Sequence, residues 1–107
     1  MPQPSPDGKG VLFYGDKDGN PEIYLMDTQD ETKVTRLTND PLMDIRPRWS
    51  HDGQKIVFER GNKKSSQNIF WMDADGKNQK QLTFEGYNYA PSFVANDKYL
   101  LSSMPKE

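Results

Sequence analysis

Three oxygen-bearing side chains at alternating positions are the first residues along the chain whose spacing could bind a metal ion. Asp16, Asp18 and Asn20 surround a glycine, and oxygen ligands at every second residue form the first half of a calcium loop. The second half is missing, because Pro21 and an apolar run follow where an EF-hand loop would continue to a bidentate Glu. We therefore interpret the segment as a hairpin loop and keep a metal site as the alternative.

The only histidine, His51, is the one side chain that could act as a base near neutral pH. Ser50 and Asp52 flank it, but neighbouring residues of an extended chain point to opposite faces, so they do not form a catalytic triad with it. No cysteine and no Gly-x-Ser-x-Gly motif supplies another nucleophile. We predict that the chain has no catalytic residue and is not an enzyme, with His51 as a turn residue that could contact a ligand.

Aromatic side chains could bind a sugar or a peptide by stacking. We expect Trp49, Trp71 and Phe93 to have a structural role instead, because their positions recur with the repeat described below and aromatic rings fill cores. Tyr87 and Tyr89 precede the third repeat in a connecting segment, where binding residues concentrate. They are the candidate binding residues of the sequence.

An internal repeat positions all of these residues. The segment SPDGK at 5–9 returns as SHDGQ at 50–54, an offset of 45 residues. The segments that return in the same order are 11–13 at 56–58, 23–27 at 69–73 and 36–38 at 81–83. A third copy begins near residue 89. We divide the single domain, 1–107, into units 5–49, 50–93 and an incomplete 94–107.

Each unit is predicted to contain four antiparallel strands, because short runs of β-branched and aromatic residues alternate with Gly, Asn, Asp and Pro. The predicted strands of the second unit are 45–50, 54–60, 67–74 and 78–83, and those of the first are 10–15, 22–28 and 33–38. The turn before the second strand contains Asp-Gly in both units, and Gly53 is assigned a structural role because such turns favour positive φ.

The central strands are apolar on both sides. Residues 56–58 and 23–26 form continuous apolar runs, whereas a sheet with one wet face would alternate. Stacking one sheet on the next would cover both faces. We therefore predict an all-β fold of stacked four-stranded antiparallel β-propeller blades, forming part of a propeller.

Several motifs resemble the TolB-type, WD-like β-propeller repeat. They are SPDG at 5–8, DGNPEIYLMD at 18–27, RLT at 36–38 and RPRWS at 46–50. The chain departs from the repeat at His51, where the pattern has proline, and at Asn96-Asp97, where it has Asp-Gly. The resemblance implies a periplasmic or otherwise extracytoplasmic location with protein partners, and the same repeat occurs in propellers attached to peptidases and to oligogalacturonate lyases.

Composition excludes several classes of function. The chain carries 14 basic and 16 acidic residues without a cluster of either sign, so nucleic acid is not an expected partner. Its apolar runs are far shorter than the roughly 20 residues of a membrane helix, so we expect no membrane insertion. The absence of cysteine excludes disulfides and thiolate metal sites. No cofactor is expected.

The sequence therefore predicts a non-enzymatic, protein-binding scaffold. We expect its main partner to be itself, because open blade edges would pair in a homo-oligomer, with envelope or peptidoglycan-associated proteins as further partners. Two alternatives remain: the chain is the propeller portion of a hydrolase or polysaccharide lyase, or it is a truncated or engineered propeller fragment.

Overall fold

The computed structural model describes residues 2–61, 68–82, 91–93 and 99–101, with side chains described through residue 82. Its strands are β1 Gln3–Pro4, β2 Gly10–Gly15, β3 Glu22–Asp27, β4 Asp30–Arg36, β5 Met43–Trp49, β6 Lys55–Gly61, β7 Asn68–Asp73, β8 Lys80–Gln81, β9 Pro91–Phe93 and β10 Tyr99–Leu101. Within these residues, no helix has the length and apolar character required to cross a membrane.

The strands form two four-stranded antiparallel sheets and a strand pair. The first sheet contains β1 to β4 and the second β5 to β8, each in chain order, and β9 pairs with β10. The predicted all-β fold of stacked four-stranded sheets is confirmed. Each sheet begins one strand before the Asp-Gly turn that opens its repeat. The unit bounds 5–49, 50–93 and 94–107 describe the sequence period and stay a prediction.

The last strand of the first sheet starts and ends earlier than predicted. It was expected at 33–38, but β4 spans Asp30–Arg36, because a tight turn after Asp27 lets the chain pair at once with β3. A side-chain hydrogen bond explains why β4 ends at Arg36. The Thr38 hydroxyl accepts a hydrogen bond from the Ile23 N–H at 3.0 Å, which replaces a backbone acceptor at that point.

The two Asp-Gly turns have the same geometry and touch each other. Gly8 and Gly53 have φ of 75° and 74°, a conformation that favours glycine. A Cβ at Gly53 would lie 3.4 Å from Cδ of Pro6, so the second turn packs closely on the first. The positive φ and the close approach both favour glycine at position 53, and its structural role stays a prediction.

The main core lies between the two sheets. It contains Leu12, Ile23 and Leu37 from the first sheet and Ile56, Phe58 and Met72 from the second. Val57 and Ile69, on the opposite face of the second sheet, are fully buried too, and β9 lies beside β5 and β6. Both faces of the second sheet are therefore covered.

Candidate functional site

A buried polar network joins the two sheets at the end where β3 begins. Glu22 is fully buried, and its Oε1 accepts a hydrogen bond from the Thr38 hydroxyl at 2.8 Å. Its Oε2 accepts one from the Asp40 backbone N–H at 2.9 Å and lies 3.3 Å from Nη2 of Arg36. The carboxylate is thus fully compensated by its neighbours, as a buried charge must be.

The same network continues into the second sheet through Arg60. Its guanidinium forms a bidentate pair with the buried Asp44, with Nε 2.7 Å from Oδ1 and Nη2 2.9 Å from Oδ2. It also lies 3.4 Å from the Asp40 carboxylate, which links it to the first sheet. Burial raises the pKa of Asp44, and the Arg60 pair opposes that shift. This arrangement fixes how one sheet sits on the other.

Glu59 is the most perturbed carboxyl among the described residues. Its side chain is fully buried, and the only described cation in contact is Arg46, whose Nε lies 3.2 Å from Oε2. The contact is an ion pair without a well-oriented hydrogen bond to either oxygen. Burial raises the pKa of Glu59 to about 7, against the lowering effect of Arg46. Arg46 itself has a φ of 52° at a bulge of β5, which turns it from the regular strand path.

Sequence reasoning did not single out Glu59. Its signal in the sequence is an ionisable residue at the end of the apolar run 56–58, on a strand predicted to be buried on both faces. The bulge that brings Arg46 to it has no comparable signal.

A crevice of about 600 Å³ opens between the sheets at the opposite end. Leu25 and Trp49, which both pack against the core cluster, form its apolar part. The two Asp-Gly turns border it. The charged side chains along it are Asp7, Lys9, Asp27, Lys33 and Asp52. The volume lies within the range of ligand sites in proteins.

The predicted metal candidates are not arranged as one ligand shell. The Tyr24 hydroxyl donates to Asp18 at 2.7 Å, while the Asn20 amide donates to the carbonyl oxygens of Asp40 and Leu42. Asp16 closes the turn through its carbonyl, which accepts from the Gly19 N–H. In the described part of the chain, no group of three His, Cys, Asp or Glu residues could hold a metal ion.

The two tryptophans occupy different environments. Trp49 is half-buried against the core, and its Nε1 donates to the Gln3 carbonyl at 2.9 Å, which joins β5 to the first sheet. Trp71 is half-buried on the far face of the second sheet, with the Lys55 ammonium 5.4 Å from its ring centroid. Phe93 lies on β9, and its side chain falls outside the described side chains.

Of the predicted binding residues, His51 alone lies within the described part of the chain. His51 is exposed in the turn between β5 and β6. Tyr87 and Tyr89 fall outside the described residues. A binding role for these three stays a prediction.

Comparison with known proteins identifies the architecture. The profile of the TolB beta propeller domain matches residues 1–107. The chain belongs to the TolB beta propeller family. The sequence resemblance is thereby confirmed, and it extends over the whole chain.

Members and neighbours of the TolB beta propeller family are similar over most of this chain. It is 43% identical over 97 residues to the Tol-Pal system protein TolB of Desulfosudis oleivorans, covering 91% of this chain and 22% of that protein. The crystal structure of TolB from Acinetobacter baumannii superposes with a TM-score of 0.79 at 30% identity, covering 91% of this chain and 24% of that one. An uncharacterized peptidase, YuxL of Bacillus subtilis, is 35% identical over 57 residues, or 52% of this chain and 8% of the peptidase. The chain thus spans less than a quarter of the length of these relatives.

Proposed function

We propose that this chain is a non-catalytic, protein-binding propeller segment of the cell envelope, and that its own copies are among its partners. The observation that carries the proposal is an apolar sheet face that has a buried counterpart within the same chain. The outer face of the first sheet, defined here as Val11, Phe13, Tyr24, Met26 and Val34, lies on the side away from the second sheet.

The repeat shows what kind of surface this outer face is. Phe13 and Tyr24 stack with centroids 5.5 Å apart, and their counterparts Phe58 and Phe70 stack at 5.7 Å. Phe58 is fully buried because it faces the first sheet, whereas Phe13 is only half-buried. Tyr24 is already buried, at 1% exposure, so the accessible part of the outer face is Phe13 with Val11, Met26 and Val34. The outer face therefore has the composition and aromatic pairing of a surface that elsewhere in this chain packs on a sheet.

Charged groups border the outer face as they border its counterpart. The Lys17 ammonium lies 4.9 Å from the Tyr24 ring centroid, and the Arg60 guanidinium lies 4.5 Å from that of Phe70. An apolar centre with a charged rim is the usual anatomy of a protein interface. A protein surface is thus a better occupant for this face than a small ligand.

We propose that the β9–β10 strand pair of a second copy packs on this face, because both faces of the second sheet are already covered within one chain. When copies stack in the same direction, the outer face of one copy meets a different face of the next, so the contact is heterologous. Such an assembly forms a closed ring only if it has cyclic symmetry. The periplasmic location and the envelope partners rest on the likeness to the Tol-Pal system protein. The binding roles of His51, Tyr87 and Tyr89 belong to the same proposal, as does the absence of metal and cofactor.

Two neighbouring aromatic residues allow a matched test. Phe13→Asp places a charge in the outer face, while Tyr14→Asp places one on the other face of the same strand, where Tyr14 is 37% exposed. Sedimentation velocity should show that the first variant loses self-association and the second keeps it, with both folded by circular dichroism. Equal association of both variants and the wild type would contradict an interface on this face.

The likeness to a peptidase favours a second candidate, in which this segment is the propeller portion of a hydrolase or polysaccharide lyase. The genomic sequence around the segment distinguishes the two. A serine-hydrolase domain in the same reading frame supports the enzyme, and further propeller repeats alone support the scaffold.

A further inference from the structure

The corner of the first sheet that borders the crevice differs from its repeat counterpart in the second sheet at two positions. In the second sheet, Lys55 begins β6 directly opposite Asp73, and its ammonium forms an ion pair with that carboxylate. The same ammonium lies 5.4 Å from the Trp71 ring centroid. Lysine stem, carboxylate and aromatic ring together fill this corner of the second sheet.

In the first sheet the corresponding corner holds smaller side chains. Gly10 takes the position of Lys55, opposite Asp27, and Leu25 takes the position of Trp71. All three line the crevice. Replacement of a lysine and a tryptophan by a glycine and a leucine reduces the side-chain volume here, and Leu25 lies over the buried Gly10.

Asp27 is left without the cation that its counterpart has. Its Oδ1 accepts a hydrogen bond from the Gln29 N–H at 2.8 Å, and among the described residues no lysine or arginine forms an ion pair with it. Lys9 and Lys33 line the crevice as well, but neither reaches this carboxylate. Asp27 is therefore the acceptor that an incoming cation would meet.

The remaining acids of the crevice are satisfied within their turns. Asp7 accepts from the Ser5 hydroxyl and the Lys9 N–H, and Asp52 accepts from the Ser50 hydroxyl. Their charges still add to that of Asp27, so three carboxylates face two ammonium groups. An anionic ligand would be opposed and a cationic one favoured.

We propose that the crevice binds a lysine side chain of a partner polypeptide, with the ammonium paired to Asp27 and the alkyl stem against Leu25 and Trp49. The Trp49 indole N–H is already bonded to the Gln3 carbonyl, so the ring offers the ligand its apolar surface. This inference rests on the proposed protein-binding function and adds that the crevice recognises a lysine side chain.

Two lysine analogues test the proposal on the full chain. Nα-acetyl-lysine N-methylamide carries the ammonium, and Nα-acetyl-norleucine N-methylamide has a similar stem without it. Titration is followed by the indole proton signal of Trp49 in nuclear magnetic resonance, assigned with Trp71→Phe. The lysine probe should shift this signal saturably, and the norleucine probe should bind at least about threefold more weakly, the size of an ion pair partly open to water.

Asp27→Asn should reduce binding of the lysine probe to the norleucine level. A response that is equal for both probes, or unchanged in Asp27→Asn, would overturn the proposal. Should this variant fail to fold, the double variant Gly10→Lys with Leu25→Trp decides, because it rebuilds the filled corner of the second sheet. A Cβ at Gly10 would lie 2.9 Å from Cδ1 of Leu25, so the two changes are made together.

The double variant should not bind the probe and should melt at a higher temperature than the wild type. Probe binding that survives in this variant would place the ligand elsewhere. If the lysine probe fails while Phe13→Asp still abolishes self-association, this inference falls and the proposed function stands.

Discussion

Replacement of Glu59 by glutamine should change how the stability of the fold depends on pH. Burial raises the pKa of this carboxyl to about 7 in the folded chain, from an ordinary value of 4.5. Between these two values the folded state holds a proton that the unfolded state has released. Stability from this group is therefore complete below about pH 4.5 and is lost as the pH rises through 7.

The size of the effect follows from the shift. A difference of one pKa unit corresponds to about 1.4 kcal/mol, so the full shift of Glu59 from 4.5 to about 7 amounts to at most about 3.5 kcal/mol. The wild type should accordingly lose between about 1 and 3 kcal/mol of unfolding free energy from pH 5 to pH 8 through this residue.

Urea denaturation at both pH values measures this loss. Glu59→Gln should lose less stability over the interval than the wild type and should exceed it at pH 8. Glu31→Gln is the matched control, because Glu31 is exposed on β4 and should leave the profile unchanged. Identical pH profiles for the wild type and Glu59→Gln would refute the assignment of a buried, protonated carboxyl.

Three further predictions concern the core, the network and the loop. Trp49→Ala should cost roughly 3 to 5 kcal/mol of unfolding free energy, as truncations of packed aromatic rings do, and an unchanged melting temperature would show that the ring contributes little. Asp44→Ala should cost up to about 3 to 5 kcal/mol, because it removes the bidentate carboxylate of the buried Arg60 and leaves it the weaker contact with Asp40, whereas Asp44→Leu with Arg60→Met should recover most of the loss in urea titrations. Removal of calcium with EDTA should leave the melting temperature unchanged, since Asp18 and Asn20 already have protein partners; a fall that calcium reverses would restore the metal hypothesis.

Features that depend on neighbouring residues could be predicted from the sequence. The Asp-Gly turns, the repeat and the strands at 54–60 and 67–74 follow from local composition, and the structure places β6 and β7 within these bounds or one residue beyond. The apolar runs indicated sheets covered on both faces for the same reason. The early start of β4 was missed, because it depends on pairing with Asp27.

The polar groups between the sheets could not be predicted in the same way. Arg60 meets Asp44 and Asp40 only because β5 and β6 pair in one particular register and the sheets then stack. Arg46 lies beside Glu59 because of a β-bulge in β5, and no local sequence pattern predicts that bulge. The replacement of Lys55 by Gly10 at the equivalent repeat position can be seen in the sequence. That it leaves Asp27 without an ion-pair partner among the described residues can be recognised only once the strand pairing is known.

Static light scattering of the eluting wild-type chain across micromolar concentrations tests the central claim most directly. We expect a folded species with the mass of several chains, because the outer face of the first sheet is complementary to a second sheet and the stack continues through another copy. A folded species with the mass of one chain throughout this range would contradict self-association through that face.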